Sequence, residues 1–165
     1  MQDIIQLQRA TVAEHFRAEN AHDWAAVHET FVQSDRAYYD VVPLSTRYEG
    51  ISGVRDFYKA ISEALPDFQV VTTAEYDVPG CSIREVTCTG THLNEYCGLK
   101  PSGYPVRFEV AVFFIFDQDK EPGKLLAERI YFDNETVLQQ MRGQKNAPTG
   151  VGLLKTTEKY EAASN

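Results

Sequence analysis

Basic residues are scarce in this chain. Against 24 Asp and Glu it sets 16 Lys and Arg, a formal charge of −8 over 165 residues, and the cations do not cluster. A nucleic-acid footprint needs such a cluster, so nucleic acid is not an expected partner. The acidity serves solubility. Long apolar runs are also missing: none approaches the roughly 20 residues that span a bilayer, so no membrane partner is expected. The opening MQDIIQLQRATVAEHF has no basic segment followed by an apolar core and a small-residue cleavage site, which predicts no signal peptide and a cytoplasmic location. Cysteine is limited to Cys81, Cys88 and Cys97. Their number is odd and none forms a CxxC pair, which argues against a disulfide framework and for buried or semi-buried thiols. HxH, HExxH and paired-Cys patterns are absent, so no metal is expected. No Gly-rich phosphate loop follows a strand, and no cofactor is expected. Ser45, Ser52 and Ser82 lack the glycines of a nucleophile elbow.

What is present suits one domain with a real core: 165 residues, 43% hydrophobic. The chain is organised around Pro105–Asp133. There two apolar, β-rich runs flank a polar connection with Pro122 and Gly123, which predicts a long hairpin with a seven-residue loop, DQDKEPG. Val106, Phe108, Val110, Val112, Phe114 and Phe116 share one face of the first run. Arg107, Glu109, Ala111, Phe113 and Ile115 share the other. Both faces are apolar enough to be covered, one by the interior and one by a sheet, a helix or a second subunit.

Upstream, Ile4, Ile5, Leu7, Val12 and Phe16 have helical spacing over 4–20. Asp23 can cap a second helix carrying Trp24, Val27 and Phe31. Tyr38 to Val42 reads as a short strand and Pro43 to Glu49 as a loop. A third helix opens at Gly50–Gly53, with Ser52 as its cap, and ends at Pro66. Two further strands, Asp67 to Ala74 and Cys81 to His92, precede the hairpin. Asp133 caps a last short helix, with Glu135 in its first turn. Residues 1–143 form the expected domain and 144–165 a polar tail. Helices on one side of an antiparallel sheet make an α+β fold, with a curved sheet wrapped on three N-terminal helices around an apolar pocket.

ALPDFQV at 64–70, GTHLNEYCGLKPSG at 90–103 and GKLLAERIYFDNETVLQQMRG at 123–143 resemble the SnoaL-like polyketide cyclases. That family belongs to the nuclear-transport-factor-two-like superfamily, with ketosteroid isomerases and limonene-epoxide hydrolases. The resemblance covers about residues 5–143. It implies a cone-shaped α+β barrel with an apolar cavity, dimeric through the outer face of its sheet. The superfold hosts enzymes, binders and scaffolds, so activity must be carried over residue by residue. The cyclases use an Asp on the last strand with a His on the preceding one. Counted from Gly123, those positions fall here on Ile130 and about Val112, and neither side chain can move a proton. With Phe114 they are expected to line the ligand cavity.

Proton transfer next to a carbonyl needs a base of tuned pKa and a donor to the oxyanion. Asp40 is the first candidate base. It ends AYYD ahead of Pro43, as the base of ketosteroid isomerases does, and an apolar cavity would raise its pKa. The alternative is a turn-capping Asp. Asp133 is a second candidate, at the end of the hairpin, against its role as a helix cap. His15 on the first helix lies near where ketosteroid isomerases carry an oxyanion-binding Tyr; the alternative is a half-exposed helix residue. Tyr38 shares the parity of Asp40 and could donate a phenol or be core. His92, with Glu95, belongs to the family-like turn and is a ligand-contact candidate or a structural hydrogen-bonder. Glu128 is a candidate for the cavity wall, although the outer face is the ordinary place for it and for Glu109. Arg129 could pair with either, and His22 and His28 read as surface. Two readings follow: a cofactor-free cyclase or isomerase acting on a small hydrophobic carbonyl compound, or a non-catalytic binding domain with a dry cavity. A carboxylate or His of shifted character inside the cavity separates them.

Overall fold

A computed structural model describes residues 2–144; the predicted tail lies, except for Gln144, outside them. Helices α1 (Gln2–Asn20) and α2 (Trp24–Glu29) lead to strand β1 (Tyr38–Val41), a 3-10 turn (Val42–Leu44) and strand β2 (Thr46–Glu49). Helix α3 (Gly50–Ala64) follows, then β3 (Gln69–Val78), β4 (Cys81–Thr91), β5 (Pro105–Phe116), β6 (Leu125–Phe132) and α4 (Asn134–Met141). The strands form one curved six-stranded sheet in the order β2-β1-β6-β5-β4-β3, and the fold is α+β. Register shifts between Thr72 and Ala74 and between Ile115 and Phe116 add local bends.

The predicted hairpin is β5–β6, and its first face is the inner one. Val106, Val110, Val112, Phe114 and Phe116 are buried, whereas Arg107 and Glu109 on the outer face are exposed and Ala111, Phe113 and Ile115 half-buried. Asp23 caps α2 through Ala26 N at 3.1 Å. Asp133 caps α4, accepting from the backbone N–H of Glu135 at 3.0 Å and of Thr136 at 3.3 Å.

Three expectations need correction. The sheet is not wholly antiparallel, because β1 pairs with β6 in parallel, from Tyr38↔Ala127 to Val41↔Ile130. The chain reaches this pairing by a long crossover through β2, α3, β3, β4 and β5, as parallel neighbours require. Part of the predicted 43–49 loop is β2, a polar edge strand on β1 whose TRYE sequence has no apolar alternation. Ser52 does not cap α3; the helix starts at Gly50. Its first free N–H groups are satisfied by backbone instead, Gly50 N to Ala37 O at 2.7 Å and Ile51 N to Ser34 O at 3.0 Å. Gly53 lets α3 lie against β2, since a Cβ there would come within 2.7 Å of the Tyr48 carbonyl carbon.

Helix α1 lies across β3 and β4. One end is clamped to the β3–β4 turn: the Gln8 amide donates to Val78 O at 3.0 Å and accepts from Gly80 N at 2.8 Å. Beside it Asp77 pairs with Arg9 at 2.7 Å and with Arg84 at 2.9 Å. The stripe of α1 facing inward includes Gln8, Val12, His15 and Glu19, all buried. Three of these four are polar, which calls for partners or a purpose.

Candidate active site

Between the inner sheet face, α1 and α3 lies a cavity of about 230 Å³. Val110, Val112, Phe108, Ile130 and Phe132 wall it from β5 and β6, with Phe57 and Ile61 from α3. Into this apolar space project two buried carboxyl groups, Glu128 of β6 and Glu19 of α1.

Glu128 is held by phenols. Tyr39 Oη donates to Oε1 at 3.0 Å and Tyr58 Oη to Oε2 at 2.8 Å. Tyr39 is the parallel-strand neighbour of Glu128, and Tyr58 reaches it from α3. Behind them His15 Nε2 lies 3.0 Å from Tyr58 Oη and 3.3 Å from Glu128 Oε2. Burial pushes the Glu128 carboxyl up to about 7, although the bonds from Tyr58 and Tyr39 favour its ionised form. Burial pushes His15 down to about 3, with His28 adding to the effect. Burial also raises Glu19 well above the carboxylate range, reinforced by the charge of Glu128. Both phenols are raised, first by burial, and stay protonated.

The hydrogen bonds fix where the protons sit. Thr30 Oγ1 donates to Val27 O at 2.6 Å, so it accepts from His15 Nδ1 at 2.9 Å. Nδ1 therefore carries the imidazole proton and Nε2 offers a lone pair. The triangle of Tyr58 Oη, His15 Nε2 and Glu128 Oε2 then holds one phenol proton for three close contacts. With His15 so hard to charge, a proton that enters the triangle goes to Glu128.

Of the residues singled out in the sequence, His15 and Glu128 meet at this centre, and Val112 and Ile130 are cross-strand partners on the cavity wall. His15 is fully buried rather than half-exposed. Glu128 faces the cavity. Asp40 does not enter the cavity; strand parity turns it to the outer face, where Arg47 Nη2 at 2.9 Å and Arg129 Nε at 3.0 Å bind it. The bond from Arg47, then its charge and Arg129, hold Asp40 below the usual carboxylate range, the reverse of the raised value expected. Tyr38 shares that outward parity and lies under the Arg47 guanidinium at 4.3 Å. Asp133 is taken up by its cap and by Thr136 Oγ1 at 2.6 Å. His92 is buried away from the cavity, its Nδ1 3.0 Å from Ser102 Oγ. Phe114 is core, edge-on to His15 and Phe16.

Glu19, Tyr39 and Tyr58 were not anticipated. Glu19 follows Val12 and His15 at helical spacing, and that was the available signal. Tyr39 has the parity opposite to Tyr38, and Tyr58 reads as one more apolar residue of α3.

A curved open sheet packed over helices, with ionisable groups sunk in an apolar cavity, defines the class: an α+β fold with an internal site. Within that class the chain belongs to the SnoaL-like polyketide cyclase family, which it matches over residues 7–141. Among solved structures it is similar to a candidate SnoaL-like polyketide cyclase from Jannaschia sp. CCS1, at 20% identity and TM-score 0.76 over 87% of this chain and 96% of that one. AclR of Streptomyces galilaeus, described as a candidate hydroxylase, aligns at 18% identity and TM-score 0.71 over 96% and 94%. IdmH of Streptomyces antibioticus, described as a candidate polyketide cyclase, aligns at 17% identity and TM-score 0.66 over 82% and 98%. No curated protein gives a significant match.

Proposed function

We propose that this protein is a cofactor-independent enzyme of the cyclase or isomerase type. It moves a proton next to the carbonyl of a small hydrophobic compound, with Glu128 as the acid–base group. One observation carries this reading: a cavity carboxyl bonded to two phenols and poised near pH 7, where a group both takes and returns a proton efficiently. Val112 and Ile130 occupy the positions that the resemblance assigns to the family's His and Asp, so the usual pair is replaced by Glu128, one pleat from Ile130 on the same face. As an anion Glu128 abstracts the proton. Once protonated it no longer needs both phenols, and Tyr39, which also lines the cavity, is released to donate to the oxyanion. Tyr58 and His15 act behind them as positioning residues. The half-exposed outer face around Phe113 and Tyr131 supports a homodimer; light scattering at twice 18.7 kDa tests it.

The test of function is deuterium exchange at the α-carbon of small hydrophobic ketones, followed by NMR. Exchange that depends on Glu128 supports the enzyme. Exchange equal to the solvent rate for every ketone that binds overturns it in favour of a non-catalytic binding domain.

A further inference from the structure

Glu19 is unused by that mechanism. It is 6% exposed and lines the cavity, and among the described residues only burial and the charge of Glu128 act on its carboxyl, with no hydrogen bond from the protein. A carboxyl this enclosed, opening only onto the cavity and given no donor by the protein, points to a partner from outside the chain. A second carboxyl, Glu128, shares the same space, and a third, Glu95, stands exposed on its rim. Neither Lys, Arg nor His lines the cavity among the described residues. Eight rings, five Phe and three Tyr, contribute to its wall, and the faces of such rings carry negative potential. The net charge of −8 draws cations toward it. A neutral donor would satisfy Glu19 but leave the crowding of acids in place. A positive charge relieves both.

We infer that this cavity is a receptor for a small organic cation, whose ammonium group seats on Glu19 against the aromatic walls. As a statement about the substrate this rests on the proposed function and names its class, a small amino-carbonyl compound. As a statement about binding it does not. The volume of about 230 Å³ equals about seven or eight waters, so the cation is compact. Binding ionises an acid that is otherwise held protonated, and protons leave as the cation arrives. The other titratable groups facing the cavity are Tyr39 of β1, Tyr48 of β2, Cys88 of β4, and Tyr96 and Cys97 of the β4–β5 connection. Burial raises Tyr39, Cys88 and Tyr96, which keeps them neutral and leaves the acids as the source of the released protons.

The experiment is titration calorimetry with choline and its uncharged isostere 3,3-dimethylbutan-1-ol, in phosphate and in the disulfonate buffer PIPES at one pH. The expected result is choline binding at least about tenfold tighter than the alcohol, with a heat that differs between buffers by net proton release. Glu19→Gln removes most of the choline preference and leaves the alcohol unchanged. Equal or tighter binding of the alcohol, or no choline binding, overturns the inference on the wild-type protein alone. Choline binding without ketone exchange leaves the receptor standing and the enzyme fallen; exchange without choline binding does the reverse.

Discussion

The paired strands β1 and β6 carry two carboxylates on opposite faces, and their neighbours make them different acids. On the outer face Asp40 sits between Arg47 and Arg129, largely covered by them, and stays ionised into acid. On the inner face Glu128 meets phenols, an uncharged imidazole and hydrocarbon, and holds a proton to about pH 7. Asp40 pairs across the strands with Arg129, and Tyr39 with Glu128. One step along the backbone exchanges an ion pair for a proton store. Charge partners favour the ion; burial with neutral donors favours the acid.

The largest expected effect that tests this contrast is on rate. Glu128→Gln keeps the shape and removes the base, and α-proton exchange should fall by about 10²–10⁴. Asp40→Asn, measured in the same exchange assay, should leave it within a factor of about two, because the outer carboxylate touches nothing in the cavity. Equal losses from both would erase the distinction between faces.

The next effect is on stability. Glu128 has a native pKa near 7 against an ordinary 4.5. The native state therefore binds more protons between those values, and stability is full below pH 4.5 and declines as pH rises through 7. The loss attributable to this residue should be about 3 kcal/mol. Urea unfolding at pH 5 and pH 8 should show the decline in the wild type and a flatter profile in Glu128→Gln. A smaller effect is expected from Tyr58→Phe, which removes a bond favouring the Glu128 anion. The acidic limb of the pH–rate profile should move upward by about one unit; a downward move would show that Tyr58 instead stabilises the protonated acid.

The smallest effect belongs to the outer face. Both arginines are more than a third exposed, so Asp40→Asn should cost less than about 1 kcal/mol at pH 7. The sign is opposite to that of Glu128: a depressed pKa gives stability above the ordinary value of 3.8, lost as pH falls through the native one. Salt should shrink the difference in a urea titration.

The fold was readable where local chemistry speaks alone. The alternation of Val106 to Phe116 announced an inner face, and Asp23 and Asp133 announced their helices. The parallel β1–β6 pairing left no such trace, because it joins segments about 90 residues apart. The site was half-legible for a related reason. LLAERIYF is apolar at both parities, so alternation could not say which way Glu128 turns, and it stood as a cavity-wall candidate against the outer face where a Glu is ordinarily found. Asp40 looked like a base because its two arginines, 7 and 89 residues away in sequence, are invisible in its local run. Glu19 and His15 occupy positions where periodicity expects apolar residues, and only the cavity gives that departure a meaning.

The clamp of Gln8 on the β3–β4 turn has a consequence for what the chain can tolerate. Helix α1 works as a ruler whose zero mark is Gln8 and whose graduations are His15 and Glu19, about 10 and 16 Å along the axis. Substitutions on its solvent side leave the scale unread. Inserting or deleting one residue between the clamp and the cavity turns everything beyond by about 100° and swings Glu19 out of the chamber with no change in composition. The length of this segment is thus as much a part of the site as its acids. Families of variants that preserve the site should differ freely at the solvent-side positions between 8 and 19 and hardly ever in count.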